Sequence, residues 1–285
     1  MGFAVSVDGR VGSPEEVTLK VTDNGFVFGD SAYETLRTYG SRPFELGRHL
    51  GRLRRSIGLL GFDLRAGDEL IRTRIDECLS FAGNAESYLR VIVSRGVGDM
   101  SYRFEKIAEP TMVIFVKPLE PIDPALYLKG GTLALVSVRR NPIEALNPAM
   151  KASNLLNNAL AAREAMAKGA LEALMLNTRG EVAECAGSNV FIVKQGVLLT
   201  PPLSCGILEG ITRAITLELA AALSLRLEER VISVEDVRSA DEVFITSSLK
   251  EIVPIVRLDD ASISGGVPGP MTKRLLAAYR ERIVA

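Results

Sequence analysis

The 285-residue sequence predicts an α+β protein of two domains, and three observations predict it. Strand-like and helix-like periodicities are interleaved along the chain without the regular βαβ alternation that builds a doubly wound parallel sheet. The length lies between one large domain and two of ordinary size. The segment "PLEPIDPALYLKGG" carries three prolines and ends in a glycine pair, which is the composition of a linker. The boundary is therefore expected near 118–130, with a small N-terminal domain over 1–118, a linker over 119–130 and a larger C-terminal domain over 131–285.

Taken in order, "FAVSVDG" reads as a strand turning at Asp8 and Gly9, and "SAYETLRTYG" as a second strand. Residues 46–60 and 67–82 have helical periodicity, whereas "SYLRVIVSRG" and "PTMVIFVKP" are β-rich. Beyond the linker, "GTLALVSV" is a strand, and 152–168 a helix closed by Lys168 and Gly169, so that Lys151 stands where a helix begins. "EALMLNTRGEVAE" is a hairpin through Thr178, Arg179 and Gly180. Strands at 189–194 and 197–200 follow, then a helix from about 211 to 223, the strand "DEVFITS" and a last helix over 270–283.

Composition removes several classes of function. Apolar residues make up 47% and charged residues 24%, the usage of globular proteins. No apolar run reaches the ~18 residues of a membrane span. The start, "MGFAVSVDGRVG", lacks the basic and apolar regions of a signal peptide, so a cytoplasmic location is expected. Lysine plus arginine (34) nearly balances aspartate plus glutamate (35), which argues against nucleic acid or membrane partners. Cys78, Cys185 and Cys205 are widely spaced and His49 is the one histidine, so neither a metal site nor a Ser-His-Asp triad has material. Chemistry must rest on lysine, carboxylates, hydroxyls or a borrowed cofactor.

"NPAMKASNLLNNALAAREAMAKG" places Lys151 among small and apolar residues rather than on a charged face. A lysine amine can form a Schiff base with an aldehyde. If the aldehyde is pyridoxal phosphate, the pocket needs a carboxylate for the ring nitrogen and donors for a phosphate dianion. Glu184 in "GEVAECAGSNVFIV" is the candidate carboxylate. In "GILEGITRAITLELA" Gly210 breaks the chain before a helix whose first amides, at Ile211 and Thr212, suit phosphate. Ser247 and Ser248 in "ITSSLKEIVP" form a second donor cluster, and Arg52 in "ELGRHLGRLRRS" offers a guanidinium. Each residue also has an ordinary structural reading, and it is the combination that points to chemistry.

In this order the segments "DNGFVFGDSAYETLR", "PFELGRHLGRL", "KASNLLNNALAAREA", "GEVAECAGSNVFIV", "LLTPPLSCGILEGITR" and "ADEVFITSSLKEIVPI" resemble the fold-type-IV pyridoxal-phosphate enzymes. That class contains branched-chain aminotransferases, D-amino-acid aminotransferases and aminodeoxychorismate lyase. The resemblance implies a small α/β domain followed by a larger one with a barrel-like mixed sheet, a pyridoxal 5′-phosphate cofactor and a homodimer acting on small amino and 2-oxo acids. It also implies that Lys151 bonds to the cofactor and carries protons, and that Glu184 pairs with the ring nitrogen. By the same match Leu208 packs on the ring, while Arg52, Ile211, Thr212, Ser247 and Ser248 hold the phosphate. His49, in the pattern H-x-x-R-L, is read as packing.

"YLR" resembles the tyrosine-x-arginine that branched-chain aminotransferases place near the substrate carboxylate, so Tyr88 and Arg90, with Arg37 of "YETLR", are the substrate candidates. Phe28 and Tyr33 are expected to line an apolar side-chain pocket. "RGVGDMSYR" lacks the histidine of the D-amino-acid enzymes, which favours L-branched-chain substrates. Leu155 and Thr35 depart from the branched-chain pattern, and "KASNLLNN" and "FGDSAYE" look more like the D-amino-acid and lyase branches. Those two activities are the alternatives; a catalytically silent ligand-binding protein on the same fold is the alternative outside enzymes.

Overall fold

The structure, a computed structural model, describes residues 2–104, 107 and 109–284. The chain forms two compact units, Met1–Pro121 with Met150–Asn154, and Ile122–Ala149 with Leu155–Ala285. The first crossing lies inside the expected 119–130 linker, but Pro124–Lys129 of that segment is a helix. Asp123 caps it by accepting from the Ala125 amide, and Pro124 pre-sets its first turn.

In the first unit β1 (Ala4–Val7) and β2 (Arg10–Gly12) form a hairpin. Its turn residues Asp8 (φ 52°) and Gly9 (φ 93°) both lie in the left-handed region that Asp-Gly turns supply. A short helix α1 (Asn24–Val27), β3 (Ser31–Tyr39), β4 (Arg42–Pro43), α2 (Leu46–Leu59), α3 (Asp68–Ala82), β5 (Ser87–Ser94) and β6 (Thr111–Pro118) follow. The sheet runs β2-β1-β6-β5-β3-β4 with antiparallel pairing. Strand alternation divides β3 and β5 cleanly. Ala32, Leu36, Leu89, Val91 and Val93 point to one face, where they bury against Leu50, Leu53 and Ile57 of α2 and Ile71 and Ile75 of α3. Tyr33, Thr35, Arg37, Tyr88 and Arg90 therefore point to the other face.

The second unit begins with α4 (Pro124–Lys129) and β7 (Gly131–Leu135), then α5 (Leu156–Ala167), β8 (Glu172–Leu176), β9 (Val182–Cys185), β10 (Asn189–Lys194) and β11 (Val197–Thr200). It continues through α6 (Ile211–Ala222), β12 (Arg226–Glu229), α7 (Val234–Arg238), β13 (Glu242–Ser247), β14 (Glu251–Leu258), β15 (Ala261–Ser262) and α8 (Pro270–Val284). The mixed sheet runs β12-β11-β10-β13-β14-β7-β8-β9, with β15 on β14. Only Ala186, Gly187 and Ser188 separate β9 from β10, yet four strands lie between them along the sheet. The sheet must curl to bring these two together, which makes it the expected barrel-like element.

Several local expectations need correction. The helix after Lys151 begins at Leu156, not at 152. The preceding residues are held as an extended strip on β3, where Ser153 N donates to Ser31 O at 2.9 Å and Ala32 bridges Ala152. Strand β7 ends at Leu135, short of Val138. β14 was obscured by Pro254, which pairs opposite Phe244 just ahead of Ile255, where pairing with β7 starts, so its missing N–H removes no bond to β7. β12, "RLEE", is a polar edge strand without apolar alternation.

Candidate active site

Lys151 is fixed by backbone contacts within the first unit. Its carbonyl accepts from Tyr33 N at 2.8 Å, and its amide donates to Ser56 Oγ of α2 at 3.0 Å. Asn154 Nδ2 closes the strip by donating to Gly29 O at 3.0 Å. The side chain is thereby delivered to Tyr33: Nζ lies 3.3 Å from the hydroxyl and 4.4 Å from the ring centroid. Arg90 Cζ lies 4.3 Å from the same centroid. Tyr33 thus meets two cations, Lys151 at its hydroxyl and ring and Arg90 at its ring face.

Arg52 occupies the opposite face of the sheet. It is 4% exposed and grips Glu34, itself 1% exposed, through Nε and Nη2, each at 2.7 Å. His49, one turn earlier on α2, places Nδ1 2.6 Å from Glu34 Oε2. Burial alone would raise the Glu34 carboxyl, but the Arg52 guanidinium, its hydrogen bonds and that from His49 bring it from 4.5 down to about 2. Burial lowers His49 by more than Glu34 raises it, so the ring is neutral at pH 7 and Nδ1–H donates to the carboxylate. His49 therefore does more than pack. Glu34, absent from the expected site, fixes the orientation of Arg52.

Glu184 lies at the C-terminal end of β9 and is 5% exposed. Arg140 Nε donates to Oε1 at 2.8 Å, while Asn189 Nδ2 and the Leu208 amide donate to Oε2 at 3.1 and 3.0 Å. Arg140 is itself oriented by α5, where Asn157 Oδ1 and Asn158 Oδ1 accept from Nη1 at 3.3 and 3.2 Å. The asparagines after Lys151 thus have a defined task. Leu208 is half-buried, and its backbone donates to Glu184 and accepts from Asn189 Nδ2 at 2.9 Å.

The start of α6 fits a phosphate. Gly210 is its N-cap and no side chain caps it, so the first amides, at buried Ile211 and Thr212, have no intrahelical acceptor. A Cβ at Gly210 would overlap Asn189 Oδ1, so the cradle requires glycine. Asn189 pairs in register with Thr246 of β13, whose Oγ1 is buried, 2% exposed as a residue, with no hydrogen-bond partner. A buried hydroxyl left over at such a place is the observation that a polar ligand group satisfies. Ser247 Oγ accepts from Lys250 N at 3.2 Å, and Ser248 is half-buried in the same turn. Carboxylate, helix terminus and spare hydroxyl are the donor and acceptor set that pyridoxal phosphate needs, so these residues fit the group.

The β3–β5 register sets Arg37 opposite Tyr88 and Thr35 opposite Arg90. Tyr33, Arg37, Tyr88 and Arg90 consequently share a face, and Arg90 Nε is buried without a hydrogen-bond partner. Arg37 stacks over Tyr39 at 4.0 Å and donates from Nε to Thr38 O at 3.3 Å. Phe28 stands apart at the end of α1, its described ring neighbour being Tyr102 at 5.2 Å. Among the described residues no group of three His, Cys, Asp or Glu is placed to hold a metal ion, and no helix is long and apolar enough to cross a membrane.

Comparison with known proteins agrees with this chemistry. The family model for amino-transferase class IV matches residues 31–258. The putative branched-chain-amino-acid aminotransferase of Methanocaldococcus jannaschii is 35% identical over 277 residues, 97% of this chain and 95% of that protein. The D-alanine aminotransferase of Bacillus licheniformis is 30% identical, over 99% of this chain and 97% of its own. The crystal structure of the branched-chain aminotransferase from Thermoproteus uzoniensis with norvaline matches with a TM-score of 0.91 at 32% identity, covering 99% of this chain and 95% of that one. Matches of this extent leave one conclusion: the chain belongs to the class-IV aminotransferases.

Proposed function

We propose that the protein transfers the amino group of an L-branched-chain amino acid to a 2-oxo acid such as 2-oxoglutarate. The observation that carries the reading is Lys151, a lysine whose backbone is fixed at both its amide and its carbonyl. Pyridoxal 5′-phosphate, the cofactor of the class, supplies a ring that withdraws electrons from the substrate's α-carbon. Lys151 Nζ removes the α-proton from one substrate and returns it to the next. Glu184, its carboxylate kept aimed by Arg140 and Asn189, would hold the ring nitrogen of the bound group. The Ile211 and Thr212 amides, Thr246, Ser247, Ser248 and Arg52 would hold the phosphate, and Leu208 would pack on the ring. Arg90, with Tyr88 and Arg37, receives the substrate carboxylate.

A silent binding protein needs neither Lys151 nor a carboxylate held as Glu184 is. The assembly proposed is a cytoplasmic homodimer, supported by the class resemblance and by large apolar side chains exposed in the first unit, among them Val21, Phe26, Met100 and Tyr102. The second reading is D-amino-acid transamination, favoured by Leu155, which follows the Lys151 strip without bringing a hydroxyl to it. A panel of L- and D-amino acids with 2-oxoglutarate or pyruvate, run beside an aminodeoxychorismate lyase assay, separates them. L-leucine, L-isoleucine and L-valine should be the best donors. Preference for D-alanine, or release of pyruvate from aminodeoxychorismate, would overturn the branched-chain reading.

A further inference from the structure

We infer that Lys250 and Glu172 are positioning residues for the cofactor's phosphate, a pair that ties the turn carrying Ser247 and Ser248 to the turn carrying Ser188. The inference rests on the proposed cofactor site and adds to it the support behind the phosphate cradle. Glu172 is buried at the start of β8 and lies 78 residues from Lys250 in sequence. Its Oε2 accepts from Ser188 Oγ at 3.1 Å and from Lys250 Nζ at 3.4 Å, so one carboxylate oxygen serves both turns. A Cβ added at Gly187 would lie 3.5 Å from the same oxygen, which sets the turn between β9 and β10 directly against the carboxylate.

Each end of the pair belongs to the site. The β9–β10 turn follows Glu184 and precedes Asn189, and Cys185 N closes it by donating to Ser188 O at 2.8 Å. Asn158, which orients Arg140, donates from Nδ2 to Ala186 O of this turn at 2.7 Å. In the other turn the Lys250 amide donates to Ser247 Oγ and its carbonyl accepts from Tyr127 Oη, both at 3.2 Å. That turn leaves through Glu251 at φ 60°, a left-handed conformation that a residue with a Cβ adopts at a cost and keeps only where its surroundings hold it. Asn189 pairs with Thr246, so the two turns lie at the same end of neighbouring strands; the ladder stops at that pair, and the shared carboxylate continues the connection beyond it. The Lys250 side chain is 34% exposed, yet its ammonium reaches inward to a buried carboxylate rather than outward to water.

The test is equilibrium dialysis of the cofactor-free full-length protein against inorganic phosphate, with urea unfolding to establish that each variant is folded. Glu172→Gln keeps an oxygen for Ser188 but offers Lys250 no charge, and it separates positioning from simple electrostatics. Removing a negative charge near an anion site tightens binding by charge alone, whereas a lost tie weakens it; the expected result is weakening by about fivefold, the size of one ordinary hydrogen bond. Lys250→Met should weaken phosphate to the same degree, and Lys250→Arg should keep the wild-type affinity. The double variant Lys250→Met with Glu172→Gln should be no worse than either single change, because the pair acts as a unit. Ile192→Val, which trims the core farther along β10, is the control and should bind as wild type. Phosphate retention that is unchanged or tighter in Glu172→Gln overturns the inference, as does a double variant whose loss is the product of the two single losses. Wild-type protein that retains no phosphate would instead overturn the proposed cradle, and the inference with it.

Discussion

Replacing Glu34 by glutamine should destabilise the first unit by about 3 kcal/mol. Glu34 and Arg52 are both almost fully buried and joined by two 2.7 Å bonds. Removing one charge of such a pair strands the other, which costs about 3–5 kcal/mol. Independently, a carboxyl lowered from 4.5 to about 2 by folding contributes about 3 kcal/mol. Because the folded value is depressed, that contribution is complete above the unfolded value of 4.5 and disappears as pH falls through the window down to about 2. Wild-type stability should therefore fall steeply across this window, and Glu34→Gln should flatten the fall. His49, whose folded value is also lowered, adds a gentler loss as pH drops below 6.5. Urea unfolding read by circular dichroism suits the assay, since the chain has no tryptophan. A variant as stable as wild type at pH 7, with the same acid profile, would refute the buried-pair account.

Other residues fail in different ways. Gly210→Ala forces Asn189 away from Glu184 and Leu208, and equilibrium dialysis should show cofactor affinity reduced by at least about tenfold, since two hydrogen bonds are broken. Thr246→Val, which buries a methyl where a hydroxyl has no partner, should leave the cofactor-free protein as stable or more stable in urea while weakening retention of inorganic phosphate in the same dialysis. Arg140→Ala releases Glu184 without touching Lys151, so single-turnover kinetics should show slower α-proton removal at full cofactor occupancy.

Much of the fold was legible because it is written in short-range patterns. The alternation of Leu89, Val91 and Val93 with Tyr88, Arg90 and Ile92 marks a strand with two unlike faces, and the Asp8-Gly9 turn is a local signal. Lys151 and Glu184 stood out by context. Glu34 and Arg140 did not, since each acquires its meaning from a partner elsewhere in the chain, Arg52 and Glu184, and Thr246 did not because burial without a partner is visible only in the fold. The start of α5 was misplaced because pairing of residues 151–153 with β3 overrides their local pattern. The contact of Tyr33 with Lys151 is likewise invisible in the sequence, because it comes from pairing across 118 residues.

The proposed chemistry requires that Lys151 bonds to the cofactor. Borohydride reduction of the purified, cofactor-loaded protein, followed by peptide mapping, decides whether it does. One modified peptide should carry the reduced cofactor on Lys151, with none from Lys151→Ala. Label on Lys129, Lys168 or Lys250, or none on the wild-type protein, would contradict it.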